Sequence, residues 1–148
     1  MTTATQTKPE RRQQASALID ELVKERRQVW ALYFRIAELK PFSDTEQVEE
    51  AVKAFSQLLI DYLSLGHFGI YRRILEGRER RRAILEVAEE IYPEFSGTTD
   101  DAVSFSDKYE HPDSALYVQD LEKDLSRLGE KLARRFEMED RLCSLILR

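Results

Sequence analysis

The sequence predicts an all-α fold, an antiparallel up-down four-helix bundle with a broken third helix. Three observations predict it. Apolar residues recur at three- and four-residue spacing through most of the chain, the period of a helix with one buried face. Glycine and proline are scarce, at five and four residues among 148, so long segments run without interruption. β-branched clusters bounded by turn residues, which strands need, are few.

Residues 1–11 read as a disordered tail and 12–148 as a single domain, a length sufficient for one genuine core. The first helix extends to about Leu39, where Lys40-Pro41 ends it, because proline disfavours the helical conformation of the residue before it. Its core face is Ala15, Leu18, Ile19, Leu22, Val29, Trp30, Tyr33, Ile36 and Ala37. Ser43-Asp44-Thr45-Glu46 reads as a capping box opening the second helix, which continues to about Glu76. Gly66 and Gly69 cost that helix about 1 kcal/mol each relative to alanine, so it bends there or something approaches closely. After Gly77 an arginine-rich segment leads into Ala83–Tyr92. Pro93 suits the first turn of a further piece, and Gly97-Thr98-Thr99-Asp100 breaks it before Ala102–Tyr109. Glu110-His111-Pro112-Asp113 is a turn. The last helix, about Leu116 to Leu147, carries Leu121, Leu125, Leu128, Leu132, Phe136, Leu142, Cys143 and Ile146 on one stripe.

Charge and composition exclude several classes of function. A formal net charge of −5 opposes binding to DNA or an anionic membrane and favours a basic protein partner. The single cysteine, Cys143, excludes an internal disulfide and suits a reducing cytoplasm. No apolar run reaches the roughly 20 residues of a membrane span, and Met1–Lys8 lacks the hydrophobic centre of a secretory signal. Arg72, Arg73, Arg78, Arg80, Arg81 and Arg82 cluster, but Glu76, Glu79 and Glu86 interleave with them and no aromatic residue offers a stacking platform. They read as a solvated helix junction rather than a nucleic-acid site.

Catalytic signatures are missing. There is no Glu-x-x-His pair for a bundle metal centre, no phosphate loop and no hydrolase elbow. His67 has Tyr71 rather than a carboxylate one turn on, His111 lies in a turn, and Cys143 sits on the core stripe as a small hydrophobe. No enzyme activity, cofactor or metal is expected.

Two sets of residues depart from the stripes. Arg26 lies on the first helix's apolar face and Glu139 on the last helix's, one turn after Arg135. Buried charges need partners, so these three predict an internal polar network, with the Tyr33 or Tyr62 hydroxyl joining it. That network either fixes helix register or lines a cavity open to a ligand. The second set lies within Asp61 to Leu75. Its normal core stripe is Phe55, Leu59, Tyr62, Leu63, Gly66 and Ile70. The opposite side reads Asp61, Ser64, Leu65, Phe68 and Arg72, flanked by His67, Tyr71 and Leu75, too apolar for a solvated face. Aromatics and leucines around a carboxylate predict a docking surface for another macromolecule.

In Arg26–Pro41 (RRQVWALYFRIAELKP), Asp61–Leu75 (DYLSLGHFGIYRRIL), Ile91-Tyr92-Pro93 and Leu125–Leu142 (LSRLGEKLARRFEMEDRL), the chain resembles the Rsd/AlgQ family, regulators of sigma D. The resemblance implies an anti-sigma factor. Such a protein binds the C-terminal, −35-reading domain of the primary (housekeeping) sigma factor and keeps it from core RNA polymerase and promoters, in stationary phase or stress. It further implies Asp61 as acceptor for a basic residue of sigma and Ser64 and Arg72 as rim contacts. Leu65, Phe68 and Tyr71 would form the desolvated centre, and His67 would orient Asp61 or touch the partner. Two alternatives remain: a scaffold for a stress-signalling enzyme, phosphocarrier or other regulatory protein, and a ligand- or metal-sensing bundle centred on Glu139, Arg26 and His67.

Overall fold

The computed structural model describes residues 8–71, 74, 81–110 and 117–147, and the side chains of 8–11, 67, 68, 70 and 118 lie outside that description. Among the described residues four long α-helices form the architecture: α1 Lys8–Ala37, α2 Thr45–Ser64, α3 Arg82–Lys108 and α4 Glu122–Ile146. Two π-helical segments, Leu65–Tyr71 and Tyr117–Leu121, lie at the end of α2 and the start of α4. Helix α1 packs chiefly on α2, and α3 on α4.

Cross-helix pairs fix the directions. Arg26 meets Asp140 while Tyr33 meets Leu125, so α1 and α4 are antiparallel. Glu90 meets Arg141 while Lys108 meets Asp124, so α3 and α4 are antiparallel too. The Tyr33 ring lies tilted 6.1 Å from that of Phe55, and Phe55 sits edge-on to Phe105 with ring centroids 5.9 Å apart. The apolar stripes meet as their period requires. Val29, Ile36, Phe55, Leu59, Tyr62, Leu121 and Leu132 are buried together along the bundle axis.

Four boundaries differ from the expectation. Helix α1 starts at Lys8, since in a first turn the missing N–H of Pro9 removes no intrahelical hydrogen bond; residues 1–7 lie outside the described residues. The α2 cap is Asp44 rather than Ser43, and its carboxylate accepts from the Gln47 N–H at 3.3 Å. Between α1 and α2 the chain passes a cis Lys40-Pro41 bond and the buried Phe42, whose φ is 64°.

The expected break in the third helix is absent: α3 runs unbroken through Pro93 and Gly97. Pro93 removes the donor for the Glu89 carbonyl, but Pro93 and Glu89 are exposed, where water can satisfy that group. Thr98 and Thr99 both turn their hydroxyls back to the Phe95 carbonyl instead of opening a turn. Ile84, Ala88, Ile91, Phe95, Ala102 and Phe105 supply one continuous buried face, and packing of such a face outweighs local propensity.

The fourth difference is in the second helix, where regular winding stops at Ser64. Of the arginine cluster, Arg81 and Arg82 are described. Arg81 donates to the Leu145 and Ile146 carbonyls at 3.2 and 3.0 Å, capping the C-terminus of α4. Arg82 pairs with Glu86. The other four arginines lie outside the described residues, as does the turn at His111-Pro112-Asp113.

Candidate functional site

The polar exceptions on the apolar stripes converge at mid-bundle. Arg26 Nη1 lies 2.8 Å from Asp140 Oδ1 and 3.7 Å from Glu139 Oε1, and its guanidinium covers the Phe136 ring. The Tyr62 hydroxyl donates to Glu139 Oε1. Arg135 Nε stands 3.4 Å from Glu139 Oε2, an ion pair without hydrogen-bond geometry. Arg135 Nη1 donates to the Thr99 and Thr98 hydroxyls at 2.7 and 3.2 Å, and its guanidinium stacks 3.9 Å from the Phe95 ring centroid. Tyr33, the other candidate partner, instead donates to the Leu125 carbonyl at 2.9 Å.

Burial dominates the electrostatics of this cluster. Arg135 is fully buried and Glu139 is 4% exposed. Loss of water holds the Glu139 carboxyl above its ordinary range, although Arg135, Tyr62 and Arg26 pull it down. Burial and the neighbouring Glu139 push the Tyr62 phenol well up. For Arg26, burial would favour the neutral form, but Asp140 and Glu139 outweigh it.

Gly66 is small because of this cluster: a Cβ there would stand 3.2 Å from Arg135 Nη2 and 3.4 Å from Glu139 Oε2. The cavity beside Gly66 and Glu139 measures about 10 Å³, room for no more than a water molecule. An organic ligand does not fit there. The His67 side chain, the third centre of the ligand-sensing alternative, lies outside the described residues.

The expected docking face is only partly assembled. Asp61 and Ser64 are exposed at the end of α2. Leu65 is half-buried against the core, and its Cδ1 and the Leu18 side chain flank Gly69. The Phe68 side chain and Arg72 lie outside the described residues. Tyr71 is not on the surface: it is 1% exposed, stacks on Phe95 at 4.6 Å and donates its hydroxyl to the Ala88 carbonyl at 2.7 Å. The cause is the π-helical winding of Leu65–Tyr71. At about 100° per residue, Tyr71 would point opposite Tyr62. Hydrogen bonds of i→i+5 type turn the chain less per residue and bring Tyr71 back to the core.

Around Asp61 the structure adds residues that the docking-face prediction omitted. Ile60 is 38% exposed beside it; helical period alone places Ile60 opposite the Tyr62 stripe. On α1, the Glu25 carboxyl is held above its ordinary range by burial first, then by repulsion from Glu21 and Asp61. Glu25 Oε2 is buried without a hydrogen bond. Among the described residues no basic side chain pairs with Asp61 or Glu25. Glu21 and Asp61 therefore both bear on Glu25 where α1 meets α2.

A family described as regulator of RNA polymerase sigma(70) subunit, Rsd/AlgQ, matches residues 1–147. A relative named regulator of sigma D, from Enterobacter sp. (strain 638), is 32% identical, covering 90% of this chain and 82% of its own. The chain belongs to the Rsd/AlgQ family. Other relatives carrying the same name, from Shigella boydii serotype 4 and Escherichia coli K12, are each 32% identical, covering 93% of this chain and 89% of theirs. No solved structure matches this Rsd/AlgQ member. Among its described residues no helix is long and apolar enough to cross a membrane, and no three His, Cys, Asp or Glu side chains converge as a metal site would need.

Proposed function

We propose that this chain is an anti-sigma factor that works by occlusion. It binds the C-terminal, −35-reading domain of the primary sigma factor in the cytoplasm and holds sigma away from core polymerase and promoters in stationary phase or stress. Asp61 accepts a hydrogen bond from an arginine or lysine of sigma, Ser64 and Arg72 lie at the rim, and Leu65, Phe68 and His67 complete the contact. The carrying observation is the exposed Asp61 near Glu25, with no basic side chain paired to Asp61 or Glu25 among the described residues. Glu25 Oε2 is buried without a hydrogen bond, and Glu21 and Asp61 repel its carboxyl. A DNA-reading domain presents basic residues, and a cation docked at Asp61 relieves that repulsion. Membership of a family described by its action on the sigma(70) subunit supports the same partner.

Occlusion needs no chemistry. The residue best able to act as a nucleophile, Cys143, is buried and its thiol is pushed up to about 12, by burial first and then by Glu139 and Asp140, so it carries no thiolate near neutrality.

Calorimetric titration with the purified C-terminal domain of the primary sigma factor tests the reading. Asp61→Ala is expected to weaken binding about tenfold or more and, being exposed, to move stability by less than about 0.5 kcal/mol. Absence of binding by the wild-type chain would overturn the proposal. Equal affinity of wild type and Asp61→Ala would remove Asp61 from the interface.

A further inference from the structure

Beside Asp61 an open groove of about 660 Å³ runs between α2 and the C-terminal end of α3. Its rims carry four carboxylates, Glu49, Asp61, Asp107 and Glu110, against the one cation Lys53. Among the described residues, none of these five groups is tied up in an ion pair. This differs from the neighbouring surface, where Glu90, Glu94, Asp120 and Asp124 all hold basic partners. The groove is also incompletely satisfied inside. Ser56 and Ser106 line it, and the hydroxyl oxygen of each is buried without a hydrogen-bond partner. Ile60, 38% exposed, gives it an apolar spot between the charges.

Size and charge together select the occupant. From Glu49 to Asp61 is twelve residues of α2, about 18 Å at helical rise. Carboxylates spread over that length suit a row of side chains rather than one small cation. An anionic lipid surface or nucleic acid would be repelled. A second copy of this acidic chain would bring its own carboxylates to the same rims. A helix of about three turns with lysine or arginine on one face and an apolar residue between them matches all three features.

We infer that this groove seats a basic helix of the bound sigma domain, so that the docking face extends from Asp61 along α2 to the end of α3. The inference rests on the sigma-binding reading above. It makes Glu49, Asp107 and Glu110 contact residues alongside Asp61, with Ile60 as the apolar anchor.

Affinity of the purified sigma C-terminal domain for the full-length chain tests it, with two groove variants and one control. Glu49→Lys/Asp107→Lys reverses two rim charges. Gln57→Trp fills the groove from an exposed position without changing charge. The control Asp20→Lys/Glu130→Lys makes the same net-charge change on exposed sites of α1 and α4. Retained helical circular dichroism and melting temperature select folded variants. Both groove variants are expected to weaken binding about tenfold or more, and the control by less than about threefold. Groove variants that bind like wild type overturn the inference and leave the sigma reading standing. Equal losses in the charge variant and its control, or a loss in the charge variant without one in Gln57→Trp, also overturn it, because long-range field alone accounts for them. A wild-type chain that does not bind the sigma domain removes both readings.

Discussion

Three glycines of this chain stand in different steric settings, and those settings dictate different responses to alanine. At Gly129 an added Cβ would meet the Tyr33 ring at its Cζ, 2.8 Å away. That ring is anchored by its hydroxyl to the Leu125 carbonyl, so Gly129→Ala is expected to destabilise by about 1–3 kcal/mol despite the better helix former. At Gly97 nothing lies within 4 Å, and Gly97→Ala is expected to stabilise by about 0.5–1 kcal/mol. Urea denaturation midpoints of the two variants should move in opposite directions. Gly66 lies between them, because the Arg135 guanidinium it touches can yield by a few tenths of an ångström. The same cluster predicts non-additivity. Arg135→Met alone should cost about 3–5 kcal/mol by leaving Glu139 buried without its nearest charge, while Arg135→Met/Glu139→Leu should cost less. A double-mutant cycle in urea decides this, and additive losses would show that the two charges are not coupled. Arg26 and Glu139 were legible in the sequence because each interrupts an apolar stripe. Thr98 and Thr99 were not, since Gly-Thr-Thr-Asp reads locally as a break and only the buried Arg135 gives their hydroxyls a mid-helix role.

At the scale of elements, the existence of the four helices follows from periodicity, but their interruptions do not. Pro93 and Gly97 are strong local breakers, yet α3 continues because its buried face does. The real irregularity is the π-helical end of α2, whose cause is tertiary: Tyr71 finds Phe95 and the Ala88 carbonyl only in that winding. Tyr71→Phe keeps the stacking and loses the hydrogen bond, and should cost about 1 kcal/mol in thermal or urea unfolding. The α3–α4 contact carries a pH signature. Burial would raise the Asp124 carboxyl, but hydrogen bonds from Lys108 and Tyr109, each 2.6 Å, outweigh it and hold that carboxyl below its usual range. A carboxyl lowered in the folded state adds stability above its unfolded-state value and loses it as pH falls through the folded one. Asp124→Asn should therefore be less stable than wild type at neutral pH, with the gap closing below about pH 4. A gap that persists at low pH would assign the loss to packing instead.

For the whole molecule, the decisive quantities are net charge and where the unpaired part of it lies. The −5 total sets the sign of the favoured partner but not the place where it docks. The informative feature is that Glu90, Glu94 and Asp124 hold basic partners, whereas among the described residues Glu25, Asp61 and the carboxylates of the α2–α3 groove hold none. Sequence showed the sign and the candidate Asp61, but pairing is a three-dimensional property, and Glu25 gains meaning only where α1 crosses α2. Association with a basic partner should accordingly be steered. Raising salt from about 50 to 300 mM is expected to lower the association rate by roughly tenfold and change dissociation less. Stopped-flow or surface-based kinetics would read this, and a salt-independent association rate would separate binding from the acidic surface.

The π-helical winding between Asp61 and Tyr71 also makes chain length itself a specification. Removing one residue from Leu65–Tyr71 would let the segment rewind as an ordinary α-helix and leave Tyr71 about 80° from Tyr62, close to where the π winding holds it. Tyr71 and Ile74, both buried, would keep their side of the bundle although the chain is one residue shorter. An insertion, or a second deletion, would instead swing both side chains by about a quarter turn. A relative with a one-residue gap here can therefore pack its second and third helices as this chain does, on a regular α-helix.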